Sequence, residues 1–398
     1  MTPPWLAVIG LGDDGLNGLA PAARALLDSA ELIVGGSRHL ALLPESGADR
    51  MPWASPFADS LPRLLERRGR RVCVLASGDP QWFGVGATLA RLVPPGEMTI
   101  LPHPGAFSLA AARLGWALQD CRCLTAHGRP LLALPLYFHP GARLLVLSEN
   151  RHTPALLAAL LRERGWGSAR LTVLEHLGGA AERRLEGSAE AWPHAPGADL
   201  NTIAVALERG PVQPLVPGLP DALFRHDGQL TKRETRAVTL AALAPWPGAV
   251  LWDLGAGCGS IAIEWMRAGG RAVAVERDAA RRALIAHNAA ALGVPELEIV
   301  AGTLPRALDG LTPAPDAVFI GGGLTSDDLL RRAWASLPPG GRLAANSVTA
   351  ESEALLLAWQ ARHGGEMIRL AVSRLEAVGR FHGWQPLRPV THYVGQKP

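Results

Sequence analysis

With 398 residues, 48% hydrophobic and 19% charged, the chain is long enough for two or three domains with sizeable cores, which excludes wholesale disorder. Its 39 basic and 36 acidic residues leave a formal charge of +3, too balanced for a protein that tracks a phosphate backbone, so nucleic acid is not an expected partner. Lys232 and Lys397 are the only lysines, and the arginine-rich remainder fits genomic base composition better than a dedicated anion surface.

Charge-free stretches such as Met98 to Ala112 are shorter than a bilayer span, and Met1 to Gly10 runs into an apolar strand without a basic region or cleavage site. A cytoplasmic protein with no membrane partner is expected. The cysteines, Cys73, Cys121, Cys123 and Cys258, are too scattered for a disulfide framework. Cys121 and Cys123, near His103 and His127, lack a second cysteine pair, so they read as small packed thiols and no metal is expected.

Along the first half, short apolar runs alternate with helix-like stretches. The expected strands are Trp5 to Ile9, Leu32 to Val34, Val72 to Leu75, Met98 to Leu101, Leu144 to Leu147, Leu171 to Leu174 and Thr202 to Leu207. From Gly210 to Pro220, GPVQPLVPGLP places four prolines and two glycines in eleven residues, and marks a linker over 209–220. Beyond it, Ala249 to Asp253, Arg271 to Val275, Leu297 to Val300, Ala317 to Ile320 and Arg342 to Asn346 read as buried strands between helices. Both halves are therefore α/β, with domains expected over 1–208 and 221–398.

The first strand, AVIGLGDDGL, ends in glycines and the carboxylates Asp13 and Asp14; later strands give VCVLASGDPQWFGVG and ILPHPGAFSLAAARLGW. Glycines placed after apolar strands let backbone approach a ligand with no Cβ in the way. The ordered set, with Ser77-Gly78-Asp79-Pro80 followed by Pro104-Gly105, resembles the tetrapyrrole methylase family over roughly residues 1 to 208. That resemblance implies two α/β lobes that clamp S-adenosylmethionine (SAM). It implies a SAM wall of Ser77, Gly78, Asp79 and Trp82, then Phe107 and Ser108, with Leu147 or Ser148 and Gly178 as further contacts. The family's first loop usually reads Gly-x-Gly-Pro-Gly-Asp and is shortened here to Gly10-Leu11-Gly12-Asp13-Asp14. Either aspartate can inherit the acidic role, or both can cap the next helix.

In the second half, Val250 to Ser260, VLWDLGAGCGS, is an apolar strand leading into a glycine loop and a helix that begins near Ile261. A dinucleotide fingerprint wants glycine or alanine where Ser260 stands, which disfavours an NAD-dependent reductase. The next strand ends in Glu276, where a carboxylate can accept both hydroxyls of a ribose. DLGAGCG followed by VERD resembles the SAM site of Rossmann-like methyltransferases. By that resemblance Gly255, Ala256, Gly257, Cys258 and Gly259 form the SAM loop, Glu276 holds the ribose, and Thr303 and Leu304 lie where adenine binds. The run FIGGG, ending at Gly323, is either a close approach to a bulky acceptor or a mobile loop. Leu230 to Arg236, LTKRETR, is placed just before the domain's first helix and resembles the entry segment of cobalamin-pathway methyltransferases acting on carbon 15 of a precorrin. There Thr231 reaches the SAM carboxylate, and it also reads as a helix cap with Glu234 completing a capping box.

The joining of these two halves resembles the decarboxylating C5,15-methyltransferase family of cobalamin biosynthesis. The resemblance implies two SAM sites, methylation of precorrin-6B at carbons 5 and 15, and decarboxylation of the ring C acetate. A precorrin is thus the expected small-molecule partner, and a homo-oligomer the expected assembly. For the substrate carboxylates Arg38, Arg129, Arg151, Arg233 and Arg236 are candidates, each weighed against ordinary surface; His39, His127 and His176 are candidate proton carriers, each weighed against a structural role. No residue is assigned as general base. The alternatives are an amino-terminal half that only binds substrate, and methylation of RNA or protein.

Overall fold

The computed structural model describes residues 4–326 and 328–398. The chain divides into two units, one holding residues up to Leu131 with Tyr137–Pro211, the other Leu132–Leu136 with Val212–Pro398.

The first unit contains two sheets. β1 (Leu6–Leu11), β2 (Leu32–Gly35), β3 (Asp49–Pro52), β4 (Val72–Ser77) and β5 (Met98–Leu101) form a parallel sheet in the order β3-β2-β4-β1-β5. All six residues of β1 are buried, as a strand covered on both faces requires, and this explains its unbroken apolar run. The second lobe is built on β6 (Cys121–Thr125), β7 (Arg143–Leu147), β8 (Arg170–Glu175), β9 (Arg183–Ser188) and β10 (Asn201–Ala206) in the order β6-β7-β10-β8-β9. Only β6 and β7 pair in parallel there. Cys121 and Cys123 face a cluster around Phe107 and Leu145, and burial pushes the Cys123 thiol up to about 11.

The second unit has a seven-stranded sheet. Its strands are β11 (Val250–Leu254), β12 (Arg271–Glu276), β13 (Glu298–Ala301), β14 (Ala317–Ile320), β15 (Arg342–Ser347), β16 (Glu366–Leu370) and, following a separate hairpin of β17 (Ser373–Val378) and β18 (Phe381–Pro386), β19 (Val390–Gln396). The order is β13-β12-β11-β14-β15-β19-β16, parallel except that β19 runs antiparallel to both its neighbours. The order reverses between β11 and β14, and ligands of such open sheets bind beyond the strand ends at that reversal. Among the described residues, no helix is long and apolar enough to cross a membrane.

Candidate active sites

In the first unit, three loops converge beyond the carboxy ends of β1, β4 and β5. The Gly78 amide donates to the Leu11 carbonyl at 3.0 Å, and the His103 amide donates to the Gly78 carbonyl at 3.2 Å. A Cβ on Gly10 would lie 1.9 Å from that carbonyl oxygen, and one on Gly78 would lie 2.6 Å from Gly105 Cα. Gly78 also has φ of +56°. Only glycine satisfies both the packing and the left-handed backbone at this position.

A polar cluster fills the same edge. Asp13 accepts from Arg38 Nη1 at 2.7 Å, and its other oxygen lies 2.9 Å from His176 Nδ1. The Ser77 hydroxyl is 3.0 Å from His39 Nε2 and 3.2 Å from Arg38 Nη2. Burial, then the Arg38 charge, lowers His39 to about 4, so its ring is neutral near pH 7. Neither aspartate caps a helix with its side chain: the helix Pro21–Asp28 is preceded by Ala20, and Asp14 enters a short 3-10 turn without a cap bond. Asp14 instead packs beside Gly12 and Gly18, with His103 Nε2 3.6 Å away, and Asp13 occupies the centre of the charged cluster.

The remaining amino-terminal candidates are dispersed around that edge. Asp79 turns its carboxylate onto the Gln81 amide at 2.8 Å, and Ser108 is exposed on the helix Ala106–Leu114. Trp82 and Phe107 pack with ring centroids 5.5 Å apart, and Phe83, which sequence reasoning passed over, approaches Phe107 at 6.0 Å. Gly178 has φ of +83° and donates to Glu182 at 2.7 Å. Leu147 packs into the Phe107 cluster, and the Ser148 hydroxyl is engaged by Asn201.

In the second unit, the loop from β11 to the helix Ser260–Arg267 has Gly255, Gly257 and Gly259 all at positive φ. A Cβ on Gly255 would crowd Gly322 at 3.0 Å and one on Gly259 would meet Ile285 at 2.9 Å, whereas Gly257 meets only the Gln229 carbonyl at 3.7 Å. Two of the glycines therefore serve close packing, and the third leaves backbone accessible. Gly321 also backs onto this loop, its Cβ position 3.2 Å from the Gly255 carbonyl, so the FIGGG run brings the loop after β14 against the loop after β11.

Glu276 is buried and accepts from the Gly257 amide at 2.9 Å and the Asp278 amide at 3.0 Å. Each carboxylate oxygen has a second acceptor site, so this orientation leaves capacity for ribose hydroxyls. Asp253 accepts from the Ala262 amide at 3.1 Å, its other oxygen is buried with no partner among the described residues, and burial pushes its carboxyl up to about 7. The Cys258 thiol is buried and raised, and its carbonyl accepts from Asn288 Nδ2 at 3.0 Å. Asn288 also binds both backbone groups of Arg225, so one fully buried amide ties the glycine loop to the chain just before the LTKRETR run. Its sequence signal was a lone asparagine on an otherwise apolar helix face. Thr303 is exposed, its carbonyl receiving the Ala307 amide at 3.0 Å, and Leu304 packs on the core at Gly323.

Three expectations need correction. The helix begins at Arg233, inside the LTKRETR run, with Lys232 at its N-cap and no side-chain cap bond. The Thr231–Glu234 capping box is therefore absent; Glu234 binds Arg374 at 2.8 Å instead. Arg236 is neither at a mouth nor on the surface. It is fully buried, with Glu264, Asp221 and the carbonyls of Thr231 and Leu219 as partners, because a buried guanidinium needs its donors satisfied. Of the other candidates, Arg151 is paired with Asp199, His127 is exposed beside Glu149, and Arg129 and Arg233 are exposed.

The family described as tetrapyrrole (corrin/porphyrin) methylases matches residues 6–192, and that described as a precorrin methyltransferase domain matches residues 222–397. A precorrin-6Y C(5,15)-methyltransferase [decarboxylating] of Sinorhizobium sp is 48% identical over 99% of this chain and 97% of its own length. One of Mycobacterium tuberculosis is 43% identical over 98% of each. Among solved structures, the C-terminal domain of precorrin-6Y C5,15-methyltransferase from Rhodobacter capsulatus is 48% identical, with a TM-score of 0.44, covering 46% of this chain and 100% of that one.

Proposed function

Because this chain belongs to the family of decarboxylating precorrin-6Y C5,15-methyltransferases, we propose that it methylates precorrin-6B at carbons 5 and 15 with loss of carbon dioxide from the ring C acetate, giving precorrin-8. The observation that carries this reading is that, in two sheets of one chain, glycine-lined loops gather beyond the carboxy ends of parallel strands. In this reading each site binds its own SAM, the amino-terminal unit serving carbon 5 and the carboxy-terminal unit carbon 15 and the decarboxylation.

SAM supplies, when bound, a methyl group already activated by its sulfonium. The protein's task is then to align a nucleophilic macrocycle carbon with that methyl and to exclude water. In the carboxy-terminal unit Glu276, held by the Gly257 and Asp278 amides, orients the ribose, and the accessible backbone at Gly257 lines the methionine part. In the amino-terminal unit the wall is Ser77 to Asp79, Trp82 and Phe107, beside the Asp13 cluster. Decarboxylation breaks the bond between the ring C acetate methylene and its carboxylate carbon; the electron pair passes into the conjugated macrocycle, and a proton from solvent takes the place of the departed carbon dioxide. A homo-oligomer belongs to this reading too, with exposed Val378, Phe381 and Trp384 of the β17–β18 hairpin as apolar surface for it to cover.

The test is a full chain carrying Gly78→Ala, given precorrin-6B and SAM. Its expected product is heavier by one methyl and lighter by carbon dioxide, whereas the unaltered chain gives a doubly methylated, decarboxylated product by mass spectrometry. A Gly78→Ala product that keeps all its carboxyls would overturn the division of labour.

A further inference from the structure

Phe83 combines two features that cost stability. Its φ is +55°, a left-handed backbone that is rare for a bulky side chain, and its side chain is 47% exposed, so burial does not offset that strain. The loop around it is stiff: a Cβ on Gly84 would lie 2.6 Å from the Pro80 carbonyl oxygen, and one on Gly86 would lie 2.7 Å from Pro80 Cβ. The backbone is thereby over-determined on both sides of the strained residue. Trp82, also 45% exposed, shares with Phe83 the buried Phe107 as backing, so two aromatic rings present open surface from one buried anchor.

Above the Phe83 ring stands Arg129, its guanidinium carbon 5.9 Å from the ring centroid. Several other arginines weighed for substrate carboxylates are already neutralised within the protein, Arg38 by Asp13, Arg151 by Asp199 and Arg236 by Glu264. Arg129 is exposed and, among the described residues, makes no ion pair with a carboxylate. A half-exposed aromatic ring beside a guanidinium with no carboxylate partner among the described residues suits one ligand chemistry: a flat conjugated ring system bearing carboxylates at its edge.

We propose that Phe83 and Arg129 form the substrate shelf of the amino-terminal unit, the ring supporting a face of the tetrapyrrole and the guanidinium pairing with one of its peripheral carboxylates. The shelf rests on the function proposed above. It acts on the acceptor and not on SAM, so it determines how tightly the macrocycle is held for the carbon 5 methylation.

The experiment compares the unaltered full chain with Arg129→Gln, Arg129→Lys and Phe83→Ala, each supplied with the singly methylated, decarboxylated intermediate and SAM. Arg129→Gln should raise KM for the intermediate by about tenfold or more, the loss of a charge-assisted bond, with a smaller change in kcat. Arg129→Lys should restore part of that loss, and Phe83→Ala should also raise KM. SAM titrations should keep the dissociation constants of the unaltered chain. Unchanged KM in Arg129→Gln and Phe83→Ala would overturn the shelf, and so would a parallel loss of SAM affinity, which would place these side chains at the methyl donor. An unaltered chain that does not methylate the intermediate would instead sink the function on which the shelf rests.

Discussion

The Asp13 carboxylate lies 2.9 Å from His176 Nδ1, although 163 residues separate the two. Its other oxygen receives Arg38. One carboxylate thus joins the loop after β1, the helix Ser37–Ala41 and the turn after β8, and so ties together the two lobes of the amino-terminal unit. His176 is also held at φ of +49°.

Asp13→Asn removes the negative charge facing both partners. Each charge-assisted bond contributes roughly 1.5–3 kcal/mol, and because Arg38 and His176 keep 37% and 34% of their side chains exposed, a combined loss of about 1–2 kcal/mol is expected. Melting of the amino-terminal unit should fall by a few degrees, and carbon 5 methylation should drop more than carbon 15 methylation. Equal losses at both carbons would show that the cluster does not act on the amino-terminal site.

Gly78→Ala should abolish SAM binding in the amino-terminal unit while leaving the other site intact. The substitution meets both a positive φ and a 2.6 Å approach to Gly105 Cα, and neither can relax without separating the loops after β4 and β5. Calorimetric titration should give a stoichiometry of two for the unaltered chain and one for the variant. A stoichiometry of one in the unaltered chain would remove the second site.

The central strands were legible because parallel strands buried on both faces are written as unbroken apolar runs, as in LAVIGL and VLWDL. The edge strands β5 and β13 were legible too, but β9 and β17 were not. β9 reads RRLEGS and β17 reads SRLEAV, whose charged, largely exposed residues suit an unprotected edge and carry no apolar signal. The glycine loops were equally legible, since spacing alone marks where side chains are excluded. What stayed hidden was pairing between distant residues. Nothing local distinguishes Arg236, buried against Glu264, from Arg129, exposed over Phe83, and nothing local joins Asp13 to His176. Thr231 was misread as a cap because a capping box is a pattern of residue types that the backbone need not adopt; here the helix starts one residue after Lys232.

Glu276→Ala should weaken SAM binding in the carboxy-terminal unit by roughly 1.5–3 kcal/mol for each ribose bond lost. The Gly257 and Asp278 amides would lose their acceptor as well, so some loosening of the glycine loop should accompany the loss. Glu276→Gln separates the two effects, since its carbonyl oxygen still accepts from one amide. Affinity unchanged in both variants would place the ribose elsewhere.

The two units should respond to acid with different slopes. In the amino-terminal unit burial, then Arg38, holds His39 at about 4 against its ordinary 6.5. The unfolded chain binds the extra proton between these values, so this contribution is full above pH 6.5 and is lost as pH falls toward 4, by roughly 3 kcal/mol at most. His392, lowered to about 4 by burial, acts in the same sense in the carboxy-terminal unit. Asp253 opposes it there: burial raises its carboxyl from 3.8 to about 7, the folded state keeps the proton across that interval, and stability falls as pH rises through it. Between pH 4.5 and 6.5 the amino-terminal unit should therefore gain stability with rising pH while the carboxy-terminal unit changes little. Asp253→Asn retains an acceptor for the Ala262 amide and removes the opposing titration, so that unit should then gain stability over the same interval, following His392. Hydrogen exchange of peptides from each unit of the full chain, corrected for the intrinsic pH dependence of exchange, measures both slopes. An Asp253→Asn chain whose carboxy-terminal unit stays flat would show that the carboxylate is not what masks the histidine.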